Sequence, residues 1–124
     1  MENPRLETTV QQSDVGPVLA VCGEIDVYTA PMFKQAVVGL VTEGIKHVFI
    51  DMNGVTYMDS SGFGALLGAT KRLRPEGGAL HLVGAKPTVE RMLHLTRLDT
   101  VIDMHPTLDQ AMTAARNGVG RAAA

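Results

Sequence analysis

The chain has 124 residues, 45% of them apolar and 19% charged, with a net charge of -2. That is one domain's length, and such a chain buries about two-thirds of its unfolded surface without staples. A single cysteine excludes an intrachain disulfide, near-neutral charge argues against a dedicated nucleic-acid binder, and 4% aromatics leave few platforms for stacking bases.

In chain order, Met1-Glu2-Asn3-Pro4-Arg5 leads into polar sequence, with no apolar leader. The longest apolar runs fall far short of the ~20 residues that span a bilayer. The expectation is a cytoplasmic protein with no membrane contact. Residues 1–7 read as an N-terminal tail. Leu6 to Gln12 alternates weakly, as an antiparallel neighbour of the next strand across Ser13-Asp14-Val15-Gly16. Val18-Leu19-Ala20-Val21-Cys22 reads as a buried strand, with Cys22 in the core. Thr29-Ala30-Pro31 looks like a helix start with Thr29 as N-cap. Phe33, Ala36, Val37 and Leu40 then form one apolar stripe, ended by Gly44.

His47–Met52 reads as a second buried strand followed by a connection to Met58. Asp59-Ser60-Ser61-Gly62 opens a helix to about Arg74, stopped by Pro75 and Gly77-Gly78. Ala79–Val83 is a third buried strand. Pro87 begins a helix carrying Val89, Met92 and Leu93, and Val101-Ile102 is a short apolar piece before a last helix, about Leu108 to Arg116. Residues 117–124 read as a frayed tail. Met32, Met92 and Met112 look like core. Strands alternating with helices imply a single α/β domain with a mostly parallel sheet.

Ligands and partners of such folds use loops at the carboxyl ends of the strands. Two polar groups converge there: Gly23-Glu24-Ile25-Asp26-Val27-Tyr28-Thr29 and Asp59-Ser60-Ser61-Gly62. A serine at a helix N-terminus caps free N–H groups. The same position also suits a phosphate acceptor, since exposed N–H donors and the helix dipole favour anions. The two roles are compatible. Self-contained catalysis finds no support. G-x-S-x-G fails at Met58 for Ser60 and at Asp59 for Ser61, and Walker A, H-E-x-x-H and cysteine pairs are absent. Asp51 lacks the acidic pair of a receiver domain and reads as a strand-end turn residue. His47, His81, His94 and His105 are scattered and read as surface or structural, and Lys71-Arg72-Leu73-Arg74 as a solvated helix end.

Gly23-Glu24-Ile25-Asp26 with Thr29-Ala30, Val48–Asp51, Met58-Asp59-Ser60-Ser61-Gly62-Phe63-Gly64, Pro87–Leu93 and Leu98-Asp99 together resemble the STAS domain, and within it bacterial anti-sigma factor antagonists. The likeness runs from about residue 8 to residue 116. It implies a single STAS-like domain, a mixed, mostly parallel sheet of four to five strands with about four helices packed on it. It further implies a partner switch and no enzyme activity or cofactor. The unphosphorylated form binds an anti-sigma factor with serine kinase activity and frees the sigma factor. Phosphorylation at Ser60, with Ser61 as competitor, breaks the complex, and a PPM-type phosphatase restores it. Asp26, Tyr28, Thr29, Met58, Asp59, Ser61, Gly62 and Phe63 are the implied partner-binding residues. Other STAS roles, in a transport ATPase assembly or a stressosome-type scaffold, are the alternatives. Two positions depart from the family pattern: Arg97 stands at a usual glycine, and Phe63 at a usual leucine.

Overall fold

The structure is a computed structural model that describes residues 5–42 and 44–118. Five strands, β1 (Leu6–Gln11), β2 (Val18–Ile25), β3 (His47–Met58), β4 (Ala79–Val83) and β5 (Asp103–His105), form one sheet in the order β1-β2-β3-β4-β5. β1 runs antiparallel to β2, and every other pairing is parallel. The helices are α1 (Ala30–Val38), α2 (Phe63–Leu73), α3 (Pro87–Leu95) and α4 (Leu108–Arg116). The α/β architecture expected from the sequence is therefore observed, with four α-helices among the described residues.

The first three helices bury Phe33, Val37, Leu66, Leu73, Val89 and Leu93 against one face of the sheet. Among the described residues, the other face carries α4 alone, with Ala111 and Ala115 packed on Val18, Phe49 and Val83. One helix is too narrow to cover that face out to its β1 edge. Along β2 the same-side residues pass from buried Val18 through half-buried Ala20 to exposed Cys22. Cys22 is thus not a core residue as expected; its side chain alternates onto the uncovered part of the sheet.

β3 is the largest departure from the sequence reading, for it continues through the presumed connection to Met58. Its pairing with β2 slips twice, from Ala20↔Asp51 to Cys22↔Gly54 and from Gly23↔Val55 to Glu24↔Tyr57. Each slip places one extra residue in β3, a β-bulge. The inward side chains accordingly run Val48, Ile50, Met52, Val55, Met58 instead of keeping period two. Asn53-Gly54 and the broken alternation mimic a turn. Asp51 lies within this strand, accepting hydrogen bonds from the backbone N–H and side-chain amide of Asn53 at 2.9 and 2.8 Å.

Other boundaries shift for local reasons. β1 begins at Leu6, inside the stretch read as tail, because Leu6 is buried in the main core. Residues 1–4 and 119–124 lie outside the described residues, and Asn117-Gly118 form a turn after α4. α1 ends at Val38 with Gly39 at its cap, ahead of Gly44, while Leu40 and Val41 still pack on the core. Met32 is exposed instead of core, since the stripe that meets the sheet is Phe33 and Val37. The fifth strand is Asp103–His105, and the apolar pair Val101-Ile102 only leads into it.

Candidate functional site

The two polar loops meet at the carboxyl ends of β2 and β3, where the Asp59 N–H donates to the Ile25 carbonyl at 3.1 Å. This bond extends the β2–β3 ladder by one step and sets the serine turn beside the Asp26 turn.

Asp26 organises the first loop. Its Oδ1 accepts the backbone N–H groups of Tyr28 at 2.9 Å and Thr29 at 3.0 Å, and its own N–H donates to Thr29 Oγ1 at 3.0 Å. The Thr29 hydroxyl donates backward to the Glu24 carbonyl at 2.7 Å. Thr29 is therefore not a side-chain N-cap of α1 as expected. Asp26 instead takes the Tyr28 and Thr29 N–H groups just ahead of α1, an Asx-type turn that closes the loop, and its carbonyl accepts the Ala30 N–H at 2.8 Å. Burial pushes the Asp26 carboxyl up, but the Thr29 and Tyr28 amides, the Arg5 charge and the Thr29 hydroxyl together hold it below the ordinary value.

Arg5 is the residue the sequence reading missed. Its guanidinium hydrogen-bonds Asp26 Oδ2, stands 3.6 Å from Glu24 Oε2, and lies 5.7 Å from the centre of the Tyr28 ring. The β1–β2 register, Leu6↔Gly23, delivers it there, and the Glu24 N–H donates to the Arg5 carbonyl at 2.9 Å. The close approach needs Gly23, at φ +119, because a Cβ there would lie 2.0 Å from that carbonyl oxygen. Gly23 thus serves the sheet and not the partner face. The signal for Arg5 was present: an antiparallel hairpin around residues 13–16 sets residue 5 opposite Glu24.

In the second loop Ser60–Gly62 form a single 3-10 turn that runs straight into α2, so the helix proper starts at Phe63. Asp59 caps this turn, its Oδ1 accepting the Ser61 N–H at 2.8 Å, while the Tyr57 hydroxyl donates to Oδ2 at 3.2 Å. The Ser61 amide and hydroxyl pull the Asp59 carboxyl below its usual value, aided by Tyr57 and against slight burial and the Asp26 charge. The same contact, with Asp59's charge, raises the Tyr57 phenol. Both serines are exposed, and Ser61 gives its backbone N–H to Asp59.

Of the implied partner-binding residues, Tyr28 is 80% exposed, while Thr29, Asp59 and Phe63 are half-buried and Ser61 exposed. Asp26 is nearly buried and acts by shaping the loop. Met58 and Gly62 are corrections. Met58 is only 3% exposed and so offers no contact surface, and Gly62 is buried directly above it. A Cβ on Gly62 would lie 2.7 Å from Ile25 Cγ2 and 2.8 Å from Met58 Cε. These two residues seat the turn on the core. The exposed apolar side chains around the loops are instead Val27, Tyr28, Met32, Tyr57 and Leu67. Leu67 shares one face of α2 with Gly64 and Gly68, which are exposed with open space above them. An apolar, low-relief surface beside the serine suits a protein partner.

Comparison with known proteins agrees with this layout. The STAS domain profile matches residues 6–111. The anti-sigma-B factor antagonist of Bacillus subtilis is 32% identical over 99 residues, covering 80% of this chain and 90% of that protein. Its counterpart in Staphylococcus aureus is 29% identical over 103 residues, with 83% and 94% coverage. The crystal structure of an anti-sigma factor antagonist from Mycobacterium paratuberculosis superposes with a TM-score of 0.82 at 35% identity, covering 94% of this chain and 99% of that one. With the matched profile spanning nearly the whole chain and the fold in agreement, the protein belongs to the STAS domain family.

Proposed function

We infer that this protein is an anti-sigma factor antagonist, a cytoplasmic binding protein and not an enzyme, switched by phosphorylation of Ser60. Unphosphorylated, it binds an anti-sigma factor with serine kinase activity, and the sigma factor is released. The kinase modifies Ser60 and the complex separates until a PPM-type phosphatase removes the phosphate. The observation that carries this reading is the exposed Ser60 at the start of the turn leading into α2, among exposed apolar side chains, with the Ser61 backbone N–H held by Asp59. The similarity to curated antagonists of sigma-B regulators supplies the partner class.

Electrostatics supports the direction of the switch. A phosphoserine adds about -1.5 to -2 charge. Asp59 is adjacent in sequence, so an interface closing over Ser60 would desolvate like charges together. Unit charges 4 Å apart interact by about 4 kcal/mol at an effective dielectric near 20, and a third of that is about tenfold in affinity. Arg5 alters the balance for Asp26, whose charge is already paired. The repulsion is therefore assigned mainly to Asp59.

The test is capture of the cognate anti-sigma factor kinase with and without ATP, comparing wild type with Ser60→Ala. Wild type should release the kinase when ATP is present, and Ser60→Ala should hold it. Phosphate found by mass spectrometry only on Ser61 or elsewhere overturns the site. Capture of membrane ATPase components, or large assemblies in size-exclusion chromatography, would replace the reading with a transport or scaffold role.

A further inference from the structure

On the face of the sheet that carries α4, β4 holds a histidine at its centre. Ala79-Leu80-His81-Leu82-Val83 is buried throughout, and His81 is 0% exposed. Its ring stacks on Phe49, centroids 4.8 Å apart and planes at 17°. The parallel register pairs His81 with Asp103 and Val83 with His105. Asp103 and His105, two residues apart on β5, therefore point to the same side as His81. On the other flank His47, at the start of β3, places Nδ1 3.0 Å from His81 Nε2. Four titratable side chains from three strands thus gather where apolar residues would be ordinary.

We propose that His81, Asp103 and His105 form a binding site for a divalent cation of the zinc class, with His47 orienting His81 from behind. His81 Nδ1 lies 3.1 Å from His105 Nε2 and 3.8 Å from Asp103 Oδ2, and the three donor atoms lie within 4.8 Å of one another. Tetrahedral zinc with bonds of about 2.0–2.1 Å requires ligand atoms about 3.3 Å apart. The observed separations bracket that figure, so modest side-chain rotations close the site. Two imidazoles and one carboxylate select a borderline cation over magnesium or calcium, which take oxygen ligands.

The surroundings meet the further needs of such a site. Ligation through Nδ1 leaves the proton of His81 on Nε2, where it donates to His47 Nδ1, the outer hydrogen bond that fixes a ligating ring. His105 is half-buried and also lines a cleft of about 440 Å³ with Glu90, Met104 and Pro106. That cleft brings solvent to His105. A bound ion would clamp the three-residue strand β5 to β4.

The experiment is calorimetric titration of the untagged full-length protein with ZnCl2, repeated with MgCl2, together with the visible absorption of added Co2+. One equivalent of zinc should bind with a rise in melting temperature, magnesium should not bind, and Co2+ should give the intense bands of a tetrahedral site. Asp103→Asn and His105→Gln should each weaken zinc binding by at least tenfold, and His47→Gln by about tenfold through the lost outer bond. His94→Gln should change nothing, because His94 makes a separate surface pair with Asp99. Absence of binding to wild type, retention of affinity in both Asp103→Asn and His105→Gln, or loss in His94→Gln would overturn the site. The wild-type titration and the Co2+ spectrum stand even if a variant misfolds.

Discussion

The serine turn and the histidine cluster solve the same problem, how to hold charge-bearing groups in a small domain, in opposite ways. At the turn, Asp59, Ser60 and Ser61 are consecutive, solvent is near, and the Ser61 amide N–H two residues on satisfies the carboxylate. In the cluster, His47, His81, Asp103 and His105 come from three strands, His81 and Asp103 are buried, and the partners are other side chains. A local, exposed site can change its charge without disturbing the core. A buried, long-range one ties strands together, and any change in it is felt as stability. The first arrangement suits a switch and the second suits a clasp.

Substitutions that separate the two regions sharpen that contrast, beginning with the largest expected effect. Ser60→Glu should lower affinity for the anti-sigma partner by about tenfold or more while leaving zinc titration unchanged, and His105→Gln should do the reverse. If both substitutions move both readouts, the regions are not independent. Gly62→Val should cost about 1–3 kcal/mol in urea unfolding, because its side chain would press on Ile25 and Met58. A neutral result would mean that the turn is not seated on the core. Arg97 has φ +63 just past the end of α3, a left-handed conformation that glycine adopts freely, which fits the glycine that the resemblance implies at this position. Arg97→Gly should therefore raise stability by about 1 kcal/mol. Gly64→Ala, on the exposed face of α2 with space for a methyl group, should add about 0.5–1 kcal/mol. If it also weakens partner capture, that face is part of the interface.

Acid provides a last and smaller test. The Asp26 and Asp59 carboxyls are held below their unfolded values, so the stability they contribute is complete above about pH 4 and is lost as the pH falls through the folded values. Asp59→Asn should flatten the acid limb of a stability–pH curve. Arg5→Ala should move the Asp26 titration, followed by NMR, upward toward the ordinary range. An unchanged Asp26 titration would show that the two amides and the Thr29 hydroxyl hold it without Arg5.

Much of this was readable along the chain. The α/β alternation, α3 and α4, and both loops of the candidate site follow from patterns spanning fewer than about fifteen residues, the range over which periodicity and capping act. The errors have a common origin. β3 looked finished at Met52 because two bulges broke its alternation, and a bulge is visible only against the neighbouring strand. Cys22 looked like core because apolar strand sequence says nothing about how far one helix can cover a face.

The sequence by itself determined the order of strands and helices, though not the full extent of β3 or β5, and it set the acidic cap and serine of the switch side by side, since those interactions close within a few residues. Tertiary structure alone decided that Arg5 neutralises Asp26, that Met58 and Gly62 lie beneath the turn instead of on it, and that His47, Asp103 and His105 meet at His81. Each of these rests on strand register, and register is chosen by the burial of the whole core and not by any local stretch of chain.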